Sequence, residues 1–392
     1  MPATAPEFEI AVVGTGVVGL AAALGCAQRG LRVALIGPAP QPFEPTPQVP
    51  FDARIYALSP SSVALLERIR AWPQVDGARV QPVARMRVFG DAGGELTFDA
   101  YAAALERLAT IVEEGALLRA LWLGCRMTPG IEHLATGFEG AQFEPGGARL
   151  RLSGAASIEC ALLLGADGKN SPVRSAAGIR ARATPYGHTA LVANFACGTP
   201  HRGTAWQWFS DEGVLALLPL PGERVSLVWS APESRAARML SLPPAEFAAL
   251  VGNRSGQALG ALQLLGGVHR FPLQRVEVDR VAQPRVALLG DAAHVVHPLA
   301  GQGLNLGLQD VSELLRVLAG REAWRDLGDR MLLRRYERAR AEPIGLMRLT
   351  VDGLAKLFGT QDPLVRQLRN FGLGLVDGLA PVKNALIRRA IG

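Results

Sequence analysis

The chain has 392 residues, 49% of them hydrophobic, enough to bury a large core and to divide into two or three domains. Four widely spaced cysteines, Cys26, Cys125, Cys160 and Cys197, form no CxxC and no metal-type cluster, which argues against a disulfide framework or a metal centre and for reduced thiols in a cytoplasmic protein. The net charge of +6 is uneven: residues 331–392 hold eleven Lys/Arg against five Asp/Glu, the remainder is about neutral, and no aromatic–basic interleaving suggests nucleic acid.

The stretch "FEIAVVGTGVVGLAAALGCAQRGLRVALI" predicts a strand over 8–13, a helix over 17–29 and a strand over 31–36. Its uncharged run, residues 10–27, is long enough to suggest a membrane span or a signal sequence. Glu7 and Glu9 stand where a signal peptide wants positive charge, however, and glycines interrupt the run. Those glycines have a better use. Gly14, Gly16 and Gly19 form GxGxxG between strand and helix. The first allows the tight turn, the second lets backbone approach a pyrophosphate, and the third lets helix and strand pack closely. The acidic residue expected at the end of the second strand is missing, because Gly37 stands there. Either Glu44, the nearest carboxylate downstream, reaches back, or a backbone carbonyl binds the ribose. A proline-rich segment, "GPAPQPFEPTPQVP", follows as an extended loop.

Further on, "ARLRLSGAASIECALLLGADGKNSPVR" predicts strands over 148–153 and 158–164 and a turn at Gly165-Ala166-Asp167-Gly168. From about 179 to 270 the runs "TALVANFAC", "TAWQWFS", "VLALLPL" and "RVSLVWS" alternate like a half-buried antiparallel sheet. Trp206, Trp208 and Leu217 are the candidates for an apolar substrate pocket there, with an ordinary sheet core as the competing explanation.

The segment "VALLGDAAHVVHPLAGQGLNLGLQDVSELL", 286–315, reads as strand, acidic turn, glycine loop and helix, with Leu304, Leu308, Val311, Leu315 and Leu318 at helical spacing. A carboxylate at Asp291 suits the hydroxyls of a ribityl chain. Backbone N–H groups of Gly301 to Asn305, at a helix start, suit the negative pyrimidine side of a reduced flavin. A ligand reaching from the first glycine turn to this distant one is FAD rather than NAD. After about 331 the chain is mostly helical. Its basic, apolar tail "NFGLGLVDGLAPVKNALIRRAIG" suits an anionic membrane surface. No internal repeat is present.

Several segments together resemble the FAD-dependent aromatic hydroxylases, and within them the ubiquinone-biosynthesis (2-polyprenylphenol) hydroxylase family. They are "AVVGTGVVGLAAAL", "DARIYALSPSS", "IVEEGALLRALW", "LLLGADGKNSPVRSAAGI", "ALLGDAAHVVHPLAGQGLNLGLQDV" and, most specific to the subfamily, "RYERARAEPIGLMRLTVDGLAKLFG" with the tail. The resemblance implies a mixed α/β (α+β) fold: a Rossmann-like FAD-binding domain, an inserted antiparallel-sheet substrate domain and a helical C-terminus. The boundaries expected are 1–70, 100–178 and 271–330 for FAD, 71–99 and 179–270 for substrate, and 331–392 for the C-terminal segment. It further implies that Arg54 lies along the FAD and Arg119 contacts it. Asp167 and Gly168 would serve the pyrophosphate region and NAD(P)H, and Asp291 the ribityl or pyrophosphate part. Pro298 would lie beside the isoalloxazine, with the N–H groups of Leu304 and Asn305 near its O2 and Gly301 and Gly303 in the same loop. Glu114 and Gly115 depart from the pattern of relatives, which puts contacts of that turn in doubt.

The activity implied is a monooxygenase that hydroxylates the ring of a polyprenylated phenol in ubiquinone biosynthesis through a C4a-hydroperoxyflavin, using O2 and NAD(P)H. With one GxGxxG in the chain, NAD(P)H is expected to dock transiently. His297 and Pro298 are the candidates at the reacting centre, with His294, His188 and Tyr186 behind them. Two other readings remain: a reductase or halogenase on the same scaffold, although the lysine and tryptophan motif of flavin halogenases is absent, or a flavin-bound assembly partner with little activity. The location expected is cytoplasmic and peripheral to the inner membrane face, with contacts to the membrane or to a biosynthetic complex through the C-terminal segment.

Overall fold

A computed structural model describes residues 6–46, 50–91, 93–296 and 302–359. The chain opens with β1 (Phe8–Val13), α1 (Val17–Ala27), β2 (Val33–Ile36), β3 (Ile55–Leu58) and α2 (Pro60–Arg68). Then come β4 (Gln81–Val83), β5 (Arg85–Phe89), β6 (Glu95–Asp99), β7 (Ala109–Glu113), α3 (Glu114–Met127), β8 (Ile131–Leu134), β9 (Phe138–Glu144), β10 (Gly147–Leu152), β11 (Ser157–Gly165) and α4 (Pro172–Ala176). The second half holds β12 (Ala181–Cys197), β13 (Thr204–Ser210), β14 (Gly213–Leu220), β15 (Arg224–Pro232), α5 (Glu233–Leu240), α6 (Pro244–Arg254) and β16 (Leu262–Val278). It closes with β17 (Ala282–Gln283), β18 (Val286–Leu288), β19 (His294–Val295), α7 (Gln302–Ala319) and α8 (Arg330–Gly359).

The glycine turn sits in a sheet whose centre is the parallel run β18-β11-β1-β2-β8. Its central strands are buried on both faces, as parallel strands under helices must be. On one face α1, α3 and α7 pack into a core with Leu20, Leu24, Leu121, Leu308 and Leu315. The other face packs against the β9–β10 hairpin. The small residues of α1 let it lie almost wholly buried. This helix ends at Ala27, short of the expected Arg29, because the Gly30 N–H donates to Ala27 O and Gly30 takes φ +81°, closing the turn.

A second sheet runs β19-β16-β12-β15-β14-β13-β5-β6, and a small third sheet β3-β7-β4 lies between them in sequence. The expected strands of residues 179–270 pair antiparallel with one another, and β5 joins their sheet through a parallel pair with β13. The boundary at 270/271 falls inside β16, which pairs with β12 from Leu262 to Val278 without leaving the sheet. Within the expected 71–99 segment, the first strand of this sheet is β5, from Arg85, because β4 pairs with β7 instead.

The side chains of this sheet divide between its two faces. Trp206 and Leu217 lie in a core with Phe195, Leu227, Trp229 and Phe247, covered by α5 and α6. Trp208 packs at the margin of the same core and stacks on Phe89 at 5.4 Å. The opposite face of the sheet meets the glycine-turn domain: Asn194 Nδ2 donates to Phe51 O and Asp52 O at 3.0 and 3.1 Å. The three residues therefore build the sheet's helix-covered core, not a pocket on the domain-facing side.

Candidate functional site

Three turns converge at the carboxyl ends of adjacent parallel strands. Val13 of β1 is in register with Gly165 of β11, and Gly165 with Leu288 of β18. Beyond these pairs lie Gly14 to Gly16, Ala166 to Gly168, and Gly290-Asp291. In an open α/β sheet this is where ligands bind. Gly14 has φ +116°, and a Cβ there would stand 2.2 Å from Ala166 O. A Cβ at Gly19 would stand 1.9 Å from Gly14 O, so both glycines are dictated by close packing. Gly16 differs: a Cβ there meets nothing within 4 Å. It begins α1 with no side-chain cap, leaving the helix N–H groups facing that open side.

Asp167 receives the Val173 N–H on Oδ2 at 2.9 Å, while its Oδ1 is buried without a partner among the described residues. Burial raises its carboxyl above the usual range, against the Ser171 and Val173 donors. Arg174, at the start of α4, ties this turn to the next by donating to Lys169 O and Ala292 O. Asp291 is open to solvent, yet enough protein surrounds it that burial raises its carboxyl. The charges of His294, Arg54 and Lys169 oppose that rise. Solvent access and surrounding protein together describe a carboxylate on the wall of a cleft.

The α7 start lies close by. Among the described residues a Cβ at Gly303 would meet nothing within 4 Å, as at Gly16. The Asn305 side chain, buried, serves the fold: Oδ1 accepts from Ser59 N and Ser62 Oγ, and Nδ2 donates to Ala57 O. Arg54 pairs with Glu114 at 3.1 Å and lies 5.1 Å over the Phe271 ring. Burial alone would lower its pKa, but Glu114 and Tyr56 outweigh this and raise it. The Tyr56 hydroxyl donates to Glu114 at 2.7 Å. Gly115 is dictated by Phe43, whose ring a Cβ would strike at 2.4 Å. The departure at 114–115 is thus a clamp on Arg54. Arg119 is half-buried on α3 and makes no hydrogen bond or ion pair among the described residues.

The sequence did not point to Asp310, Glu113 or Lys169. Glu113, fully buried, pairs with Arg79 and accepts the Asp52 N–H, fixing the loop that carries Arg54. At Gly37, φ is +143° and a Cβ would meet Thr15 Cγ2 at 3.1 Å; the Thr15 hydroxyl donates to Pro38 O. Glu44 is exposed and has no partner among the described residues. His188 Nδ1 lies 3.5 Å from Ser230 Oγ, and Tyr186 lines a separate cavity with His294. His297, Pro298 and Gly301 lie outside the described residues, as does the chain beyond 359. Among the described residues no cluster of three or more metal-type ligands occurs, and no helix is long and apolar enough to cross a membrane.

These turns fit FAD: a glycine-lined helix start for the pyrophosphate, an orphaned carboxylate oxygen at Asp167, and a second open helix start some 290 residues later. Fold and site therefore define an FAD-dependent monooxygenase. The sequence matches the FAD binding domain family over residues 7–345, and the chain belongs to that family. It is 34% identical to the 3-demethoxyubiquinol 3-hydroxylase of Escherichia coli, covering 98% of both chains. It is also 34% identical to the ubiquinone hydroxylase UbiL of Rhodospirillum rubrum, covering 98% of this chain and 89% of that one. A probable FAD-dependent monooxygenase from Pseudomonas aeruginosa, PqsL, shares the fold with a TM-score of 0.78 at 23% identity, over 93% of this chain and 99% of that one. HpxO of Klebsiella pneumoniae, solved with FAD and uric acid, shares it at 0.75 and 17%, over 98% and 97%.

Proposed function

We propose that this enzyme hydroxylates a ring carbon of a polyprenylated phenol or quinol on the route to ubiquinone. What carries the reading is full-length similarity to two ubiquinone hydroxylases together with the three converging turns. FAD, when bound and reduced by NAD(P)H, supplies the activated oxygen that the side chains of this protein lack. The residues do the rest. Gly14, Gly16 and Gly19 with the α1 N–H groups hold the pyrophosphate, and Asp167 and Gly168 close that end. Asp291 accepts from the ribityl hydroxyls, and Arg54 and Arg119 lie along the cofactor. Gly303, Leu304 and Asn305 present N–H groups to the pyrimidine carbonyl, where negative charge grows on reduction.

The ring then faces the side of the substrate sheet turned away from α5 and α6. There Val192, Val228, Ala216, Gln207 and Val88 are cross-strand neighbours in one row, alternating with the helix-covered core. Four aliphatic side chains and one amide suit an alkylated phenol whose hydroxyl needs one partner. His297 and Pro298 remain the candidates beside the reacting carbon. The test is deletion of the gene in its host with mass spectrometry of quinone precursors. A precursor lacking one ring oxygen is expected; an unchanged ubiquinone pool overturns the reading. Incorporation of labelled O2 by the purified enzyme separates a hydroxylase from a reductase.

A further inference from the structure

Asp310 is fully buried in the middle of α7, and it takes hydrogen bonds from three separate parts of the chain. Its Oδ2 accepts the Gly290 N–H at 2.9 Å and His294 Nε2 at 2.7 Å. Its Oδ1 accepts Arg340 Nε, from α8, at 2.6 Å. Arg340 also donates to Leu306 O, one turn above Gly303, and Tyr336 donates to Leu288 O, the last residue of β18. Burial alone would raise the Asp310 carboxyl. His294, Arg340 and the Gly290 N–H outweigh burial and hold it below the usual range.

The packing around this carboxylate is equally tight. A Cβ at Gly307 would stand 2.7 Å from Val18 Cγ2 and 3.1 Å from Gly290 Cα. Helix α7, helix α1 and the Gly290-Asp291 turn therefore touch with no room for adjustment. Both proposed contacts of the far end of the flavin, Asp291 and the α7 N–H groups, hang from this one joint.

We infer that Asp310, through the Gly290 N–H, His294 and Arg340, is a positioning residue that sets the Asp291 carboxylate and the first turn of α7 at the separation the flavin requires. The inference rests on the reading of Asp291 and residues 303–305 as flavin contacts. Asp310 touches no ligand itself. It converts two flexible turns into a preformed grip, which lowers the ordering cost of binding. His294 and Arg340 also border a cavity of about 250 Å³, so a shortened side chain at 294 opens onto space that water can fill.

The experiment is titration of FAD-free protein with FAD, followed by flavin fluorescence and the visible spectrum of the bound flavin, alongside thermal melting of the same FAD-free samples. Asp310→Asn is expected to weaken FAD at least tenfold and to blur the vibronic structure of the bound flavin, as Asp291→Asn does by direct loss. Glu212→Gln is the control: it breaks the Arg235 and Arg254 ion pairs in the substrate sheet and should lower melting without touching FAD affinity. Should Asp310→Asn not fold, His294→Ala and His294→Gln carry the test. Loss with alanine and recovery with glutamine, which retains an N–H for Asp310, supports positioning. Wild-type affinity and spectrum in Asp310→Asn or His294→Ala, with Asp291→Asn impaired, overturns the inference and leaves the Asp291 contact standing. Wild-type affinity in Asp291→Asn as well removes the flavin from this turn, and the inference falls with it.

Discussion

Thr15 occupies the ground where a ribose-binding carboxylate would stand. Its methyl lies against Gly37, its hydroxyl bonds Pro38 O, and the Gly37 carbonyl meets a ring nitrogen of His133 at 2.8 Å. Restoring the usual acid as Gly37→Asp would force a side chain into φ +143° and against Thr15, at a cost of about 1–3 kcal/mol. The expected outcome is a lower melting temperature with no gain in FAD affinity; a tighter FAD complex would show that the carboxylate had room after all. The cysteines give a second residue-scale test. All four are buried, and burial pushes the thiols of Cys26, Cys125 and Cys160 up to about 12. A colorimetric thiol titration at pH 8 should find these three unreactive in the native protein and reactive in denaturant, because the thiolate is the nucleophile. Position by position, the first glycine motif was legible in the sequence because Gly14 and Gly19 answer local demands of backbone and packing. Asp310 was not, since His294 and Arg340 lie 16 and 30 residues away and only the packed helices bring them together.

Among the elements, the substrate sheet shows where sequence pattern stops. Alternation separates two faces correctly: Leu215 and Leu217 fall on one, Val214, Ala216 and Leu218 on the other. It does not say which face is covered. That depends on α5 and α6, which lie within a stretch that reads as strands, and which place Phe247 and Met239 over Trp206 and Leu217. Two substitutions separate the faces. Leu217→Ala should destabilise by about 2–5 kcal/mol through the cavity it leaves, with kcat/KM per folded molecule nearly unchanged. Gln207→Leu, on the face away from α5 and α6, should leave melting within a few degrees and alter KM or the fraction of NAD(P)H oxidised without product. Equal loss of stability from both, with no kinetic split, would remove the Gln207 row as the ring-binding face. The buried Arg79–Glu113 pair belongs to this scale too, since it pins β7 to the 50–54 loop. Arg79→Met leaves Glu113 charged and enclosed, a loss of about 3–5 kcal/mol in an equilibrium denaturant titration.

Over the whole molecule, the basic excess noticed in the C-terminal sequence takes a definite shape on α8. Arg330, Arg334 and Arg338 recur every four residues on its exposed side and make no ion pair among the described residues, whereas Arg335 is held by Glu322. Beside them Met331 is 52% exposed and Trp324, under the Arg325 guanidinium, is 78% exposed. Exposed arginines on a helix with an exposed methionine, and an exposed tryptophan just before it, suit an anionic lipid surface, where each cation contributes about 1 kcal/mol. A polyprenylated substrate dissolves in the bilayer, so such a face would bring the substrate sheet to it. The purified holoenzyme should sediment with vesicles containing phosphatidylglycerol at low salt and be released as salt shortens the screening length. Charge reversal, Arg330→Glu with Arg334→Glu and Arg338→Glu, should abolish that binding while leaving turnover of a short-chain, water-soluble phenol intact, because these three side chains are exposed and hold no partner among the described residues. Equal sedimentation with neutral phosphatidylcholine vesicles, or binding that survives the triple reversal, would assign the α8 arginines to ordinary solvation.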